Sequence, residues 1–319
     1  MMLEIMKSSL FQKLPKRSIL ILLFILFVVK IMSVLIFIYT GKLTTYEKVN
    51  FSESSTTKGE GRRPIMHTFY QPVNTGESDL LDAWKEVWQE RGFETKILTM
   101  DDAMSYPRFN EIRDAILGKV GTGNVNTERY NEMCFFRWFA MVASGGGWMC
   151  DYDVFPLNFP TESVDVLPNG GHFTSYEWHV PSLMSGSAEE WDRVATIMLE
   201  AILRIPAGEP KTDMLAFQTI RIEQEKQAMN HNIIFIGPGT YVRAGFDYAS
   251  MHVVDCDLLK RAWVAHLSHS ESRKAFQKDI FPVDDLYNRA QAGKLYLRHW
   301  KDQCVDIGGE TNSTLHIHH

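Results

Sequence analysis

The stretch Asn131–Leu157 reads NEMCFFRWFAMVASGGGWMCDYDVFPL. From Glu128 to Ser144 it is apolar on nearly every side, which describes a buried helix. Gly145, Gly146 and Gly147 end that helix, Trp148-Met149-Cys150 reads as a short buried strand, and Val154–Leu157 continues extended. Three features are chemically unusual. Arg137 lies inside the apolar helix, and a buried guanidinium needs a carboxylate or a phosphate as partner. Three glycines separate helix from strand. Asp151 and Asp153 then follow the strand with one residue between them. Two neighbouring carboxylates repel unless a cation sits between them. Mg²⁺ and Mn²⁺ take oxygen ligands and commonly combine one or two carboxylates with substrate phosphates. The pattern therefore predicts a metal bound together with a phosphorylated substrate. A bare Asp-x-Asp means little, as Asp255-Cys256-Asp257 illustrates. The helix, glycines and strand in front of Asp151 give this one its weight.

Outward from that stretch the chain alternates. Pro64–Tyr70 reads as a strand. Leu81, Trp84 and Trp88 recur at helical spacing within Glu77–Arg91, and Thr95–Leu98 reads as a second strand. A β-α-β opening predicts an α/β fold with a parallel sheet. A turn or short helix at Asp101–Ala103, a segment at Asn110–Leu117 and a loop at Gly121–Asn126 follow. Further on, a strand is expected at His172–Tyr176. A capping box of Ser187 and Glu190 precedes a helix. Asp213–Met229 reads as a helix, and Ile233–Ile236 as a strand closed by Gly237-Pro238-Gly239. The region after Phe281 shows no clear pattern. Trp84 and Trp88 read as core residues, and His172, His179, His231, His252 and His299 carry no ligand signal of their own.

Composition limits the function classes. Of 319 residues, 45% are apolar and 23% charged, with a net charge of -6. That excludes disorder for the bulk of the chain. An acidic balance of 33 Lys+Arg against 39 Asp+Glu argues against nucleic acid as a partner. Residues 19–39 form an almost unbroken apolar run, and a membrane-spanning helix needs roughly 20 such residues. Lys13, Lys16 and Arg17 precede the run while positive charge is sparser after it, so the short N-terminus is expected in the cytosol. The organisation expected is a cytosolic tail at 1–18, a transmembrane signal anchor at 19–39 in contact with membrane lipid, a flexible stem at 40–63 and a lumenal domain at 64–319. A cleaved signal peptide, with Ile19–Val29 as its apolar region ended by Lys30, is the rival reading. Asn50 and Asn312 head glycosylation sequons. Cys134, Cys150, Cys256 and Cys304 could pair in a lumenal setting or remain four buried thiols.

The central stretch resembles the sugar-binding region of DXD-motif glycosyltransferases of the family 32 type, which includes the initiating α-1,6-mannosyltransferase and α-1,4-galactosyl- and N-acetylglucosaminyltransferases. Arg137, the glycines and Asp151-Tyr152-Asp153 carry the resemblance. Ser144 and Trp148 depart from the family's Tyr or His and aliphatic residue. Pro64-Ile-Met-His67-Thr-Phe-Tyr70 is similar to the family's opening, with Tyr70 in place of a base-stacking Trp. Leu98–Ala103 and Val264–Ser270 resemble later segments, although the closing Trp is missing. The resemblance implies a GT-A fold, a Rossmann-like nucleotide-diphospho-sugar transferase domain, behind the membrane helix. It implies Asp151, Asp153 and Arg137 as catalytic residues, and Tyr70, His67, Asp102, Gly146 and Gly147 as substrate-binding residues. Asp153 and His266 would hold Mn²⁺ or Mg²⁺, with His269 as the alternative to His266. The donor implied is GDP-mannose or a UDP-hexose and the acceptor a glycan or glycolipid, with retention at the anomeric carbon, at a Golgi or ER membrane. Two other readings stand beside this one: an inactive binding protein of the same fold, and a nucleotidyltransferase. The latter would want its Gly-Ser loop well before the aspartates.

Overall fold

The structure is a computed structural model that describes residues 63–72, 78–116, 125–161, 166–205, 211–244, 255–270, 272 and 289–305. All of them belong to one compact unit, Lys48–His319. The expected tail, anchor and nearly all of the stem lie outside the described residues, as do both sequons. Among the described residues no helix is long and apolar enough to cross a membrane.

The opening β-α-β forms as the sequence predicts. Strand β1 (Ile65–Phe69) pairs in parallel with β2 (Glu94–Leu98), and helix α1 (Ser78–Glu90) connects them. β1 is buried from Met66 to Phe69, His67 and Thr68 included, because both of its faces are covered. α1 buries Leu80, Leu81, Trp84, Val87 and Trp88. Its tryptophans are satisfied in the core: Trp84 donates to Cys150 Sγ (3.3 Å) and Trp88 to the Val154 carbonyl (3.1 Å). Short helices α2 (Met100–Met104) and α3 (Phe109–Ile116) lead to the long helix α4 (Val125–Ala143). α4 begins before Glu128, so Val125 and Asn126 are helical rather than loop.

The main sheet has six strands in the order β2-β1-β3-β6-β5-β7. β3 (Gly147–Cys150) lies parallel to β1 and antiparallel to β6 (Leu183–Gly186). β5 (Thr174–Ser175) pairs antiparallel with β6 and parallel with β7 (Ile234–Phe235). A second sheet, β4-β9-β8, comprises β4 (Val154–Pro156), β9 (Val264–His266) and β8 (Val242–Ala244). The architecture is mixed α/β with a parallel-rich main sheet. One apolar cluster gathers α1, the second sheet and the C-terminal helix α8 (Arg289–Trp300). The other gathers α4, α5 (Ala188–Arg204) and α6 (Asp213–Glu225).

Several element ends differ from expectation for identifiable reasons. The capping box of α5 is half formed. Ser187 Oγ accepts from the Glu190 N–H, but the Ser187 N–H is already taken by the Gly171 carbonyl (2.8 Å). Glu190 turns instead to the Phe173 N–H and to Arg193. α6 stops at Glu225 rather than Met229. Gln227 adopts φ 56°, and the Ala228 N–H reaches back to the Glu223 carbonyl in a left-handed cap. α8 fills the region that showed no pattern, and α7 (Cys256–Leu259) precedes β9. Cys256 and Cys304 are joined by a disulfide, while Cys134 and Cys150 are free thiols. The four cysteines thus divide between the two expected states.

The three glycines after α4 have separate tasks. Gly145, at φ 93°, closes the helix: its N–H bonds the Val142 carbonyl and the Gly146 N–H bonds that of Met141. Gly146, at φ 74°, passes so close to α5 that a Cβ would lie 2.7 Å from the Ala188 nitrogen. Gly145→Ala meets open space and should cost about 1 kcal/mol for a left-handed L-residue. Gly146→Ala adds a displaced backbone and should cost about 3 kcal/mol or more. Thermal melting of the two variants checks this; equal losses would remove the close approach as the reason for Gly146.

Candidate metal centre

Strands β1, β2 and β3 end on the same edge of the sheet. From β1 the chain goes first to β2 on one side and later to β3 on the other. Crevices outside the carboxyl ends at such a reversal are where open α/β sheets bind ligands. Tyr70 follows β1 there and Asp151 follows β3, and the Tyr70 and Tyr152 rings meet edge to face at 5.6 Å.

β4 carries the chain from Asp153 into the second sheet, where Val154 is in register with His266 of β9. The Leu267 N–H donates to the Asp153 carbonyl (2.9 Å). This pairing brings His266 beside the aspartates. Ligand atoms of Asp151, Asp153 and His266 lie within 4.8 Å of one another. His266 Nε2 is 3.6 Å from Asp153 Oδ1, and its Nδ1 hydrogen-bonds Glu177 Oε2 at 2.9 Å. A carboxylate on the far nitrogen is how metal-binding histidines are commonly oriented. Asp153 Oδ1 is buried and has no hydrogen-bond partner. Two carboxylates, one of them with an unsatisfied buried oxygen, and one imidazole fit a divalent cation. His269, the alternative ligand, instead accepts from Arg289 (3.0 Å).

Two arginines hold the aspartates. Arg137 donates to Asp151 Oδ1 (2.5 Å) and, through Nε and a terminal nitrogen, to Asp213 Oδ2 (3.1 and 2.5 Å). Trp138 Nε1 also approaches Asp213 Oδ2, at 3.4 Å. Arg289 pairs with Asp153 Oδ2 and donates to the Leu267 carbonyl. Burial, against the pull of Arg137, lifts Asp151 to about 6. Burial pushes Asp153 the same way, but Arg289 and His266 bring it below the usual carboxylate range. Burial opposes the imidazolium of His266, yet Asp153 and Glu177 raise it to about 9.

The structure thus brings Asp151, Asp153, Arg137 and His266 together, with Tyr70 alongside. The other expected substrate residues each have structural contacts of their own. His67 is buried with its pKa lowered by burial, and its Nδ1 bonds the Trp148 carbonyl at 2.9 Å. Asp102 caps α2, accepting from the Thr99 N–H at 2.7 Å. Gly146 packs on α5, and Gly147 lies over the His67 ring, 3.7 Å from where its Cβ would be. Sequence reasoning missed Asp213, Glu177 and Arg289. Asp213 reads as an ordinary acidic residue in a first helical turn, Glu177 stands in no motif, and Arg289 falls in the region without pattern.

The fold and site define a mixed α/β protein with a candidate divalent-cation centre at the carboxyl edge of its sheet. The profile of the family described as a domain of unknown function (DUF8765) matches residues 60–280, and the chain belongs to that family. No curated protein matches the sequence. A crystal structure of a glycosyltransferase involved in the glycosylation of the major capsid of PBCV-1 aligns with 72% of this chain and 98% of its own. Identity is 12% and the TM-score 0.37.

Removing one partner from a buried ion pair leaves an uncompensated charge. Arg137→Met should cost about 3–5 kcal/mol and Asp213→Leu a similar amount. The double variant should be less damaging than the two losses added, by about 2 kcal/mol. A denaturant-unfolding cycle measures this, and strict additivity would contradict the pairing.

Proposed function

We propose that this chain is a metal-dependent glycosyltransferase that moves a hexose from a nucleotide-diphosphate sugar to a glycan or glycolipid hydroxyl. The observation that carries the reading is the convergence of Asp151, Asp153 and His266 around the unsatisfied Asp153 Oδ1, where β1 and β3 end. Asp153 and His266, with Asp151 beside them, would hold Mn²⁺ or Mg²⁺. When bound, such an ion supplies Lewis-acid stabilisation of a departing diphosphate. Glu177 keeps the His266 ring turned toward Asp153, and Arg289 fixes the other Asp153 oxygen. Arg137 anchors Asp151, the aspartate that the family 32 resemblance assigns to the donor sugar and ribose. Tyr70 offers a ring at the crevice for the base. Retention at the anomeric carbon, a GDP-mannose or UDP-hexose donor and the GT-A assignment rest on the same resemblance. Placement in the Golgi or ER lumen behind an anchor at 19–39 draws support from the Cys256–Cys304 disulfide, since such bonds persist in oxidising compartments.

One observation favours a second reading, a binding protein of the same fold without catalysis. Each aspartate already has an arginine, Arg137 on Asp151 and Arg289 on Asp153, so the acidic pair is partly neutralised by the chain itself.

Calorimetry separates the readings. Wild type should bind UDP or GDP only with Mn²⁺ present. Asp153→Asn keeps size and one acceptor oxygen but loses the charge, and should weaken that binding at least about tenfold, some 1.4 kcal/mol. Its metal-free melting should fall, because Asn leaves the buried Arg289 without its counter-charge, so binding is compared well below the variant's own midpoint. Equal Mn²⁺-dependent binding by both proteins would remove the centre, and with it the transferase reading.

A further inference from the structure

Trp178 stands apart from the chain's other described tryptophans. Trp84, Trp88, Trp138, Trp148, Trp191 and Trp300 are buried, and Trp263 packs against the core, whereas Trp178 is 38% exposed. Its backbone lies at φ 53°, a left-handed conformation that bulky L-residues rarely adopt. Strain of this kind persists where the surroundings over-determine it, and it clusters at ligand sites. Here the surroundings do so. The Trp178 N–H donates to the Ile236 carbonyl (2.9 Å), and its carbonyl accepts from Ser175 Oγ (2.6 Å). The ring is held as well. The Arg221 guanidinium lies 4.6 Å from its centroid, and Arg221 pairs in turn with Glu225.

The loop that presents this ring is fastened to the candidate metal centre at both ends. At its start, Glu177 accepts from His266 Nδ1 and from Ser182 Oγ. At its end, the Ser182 carbonyl accepts from the Asp151 N–H (2.9 Å). β5 runs parallel to β3, because both are antiparallel to β6. The loop therefore leaves the sheet at the same edge as the aspartates. An aromatic face with charged, hydrogen-bonding neighbours matches a pyranose ring, whose C–H face is apolar and whose rim carries hydroxyls. It does not match an extended apolar partner surface, which needs a contiguous patch.

The geometry points to Trp178, with Arg221 and Glu225 beside it, as a saccharide-binding platform that seats a pyranose of the acceptor next to the metal centre. The term acceptor rests on the transferase reading above; the sugar site itself does not. Saturation-transfer NMR on the full chain, titrated with mannobiose, lactose and cellobiose at millimolar concentration, reads sugar binding. Calorimetry with Mn²⁺ and UDP or GDP reads the metal centre on the same preparations. Trp178→Ala should weaken disaccharide binding at least about tenfold, and Trp178→Phe, which keeps a ring, should stay within about threefold. Trp178→Gly accepts the left-handed backbone freely, so it removes the ring without backbone strain. It should lose sugar binding while still melting cooperatively. Mn²⁺-dependent nucleotide binding should persist in all three variants. Equal disaccharide binding by wild type and Trp178→Ala, or none by wild type, overturns the platform. Sugar binding that depends on Trp178, with no Mn²⁺-dependent nucleotide binding in wild type, upholds the platform and overturns the transferase reading.

Discussion

Buried charge has to be neutralised within a few ångströms, because the protein interior screens it poorly. The carboxyl edge of the main sheet gathers four acids, Asp151, Asp153, Glu177 and Asp213, and the rest of the domain is arranged to meet that demand. Arg137 on α4 joins Asp151 after β3 to Asp213 at the start of α6. Arg289 on α8 reaches Asp153, and His266 on β9 reaches Glu177 after β5. Each bridge ties a different element to the sheet edge. The ion pairs therefore fix the relative placement of α4, α6, α8 and both sheets. The apolar clusters on either face provide the bulk of the burial but do not by themselves specify where a side chain must end.

What could be read from the sequence was local. The apolar run ending in glycines marks helix and strand because periodicity and turn chemistry act over a few residues. The Asp-x-Asp pair is legible for the same reason. The partners were not legible, because the pairings that complete the centre span large separations. Asp213 lies 76 residues from Arg137, Glu177 lies 89 from His266, and Arg289 lies 136 from Asp153. Nothing in the local pattern around Asp213 or Glu177 distinguishes them from capping or surface acids. Arg289 sits on a helix whose buried face includes Gly293, where the Phe155 ring would lie 2.5 Å from an added Cβ. A helix packed so closely through a glycine has a weak apolar stripe, which is why α8 escaped a reading by period.

The same limit applies to three of the expected substrate residues, which also have structural contacts of their own. His67, Asp102 and Gly146 stand in segments where a motif and a structural requirement look alike. A capping carboxylate, a buried histidine on a carbonyl and a glycine at a helix crossing all leave short sequence signatures. Tyr70 is different, since its neighbour Tyr152 lies between the two aspartates and the contact places it at the crevice.

The charge inventory of the edge gives the centre its direction. With His266 protonated, four acids face two guanidiniums and one imidazolium, leaving one negative charge in excess. A histidine that ligates a metal must be neutral. To hold a cation His266 would give up its proton, and the edge would then carry two negative charges against an incoming charge of two. The arginines alone therefore do not complete the neutralisation that burial demands. The unsatisfied Asp153 Oδ1 marks where the remaining positive charge fits. Arg289 occupies the other oxygen of the same carboxylate. Chain and cation can thus share Asp153 without competing for one lone pair, and an arginine beside the aspartates is compatible with a metal there.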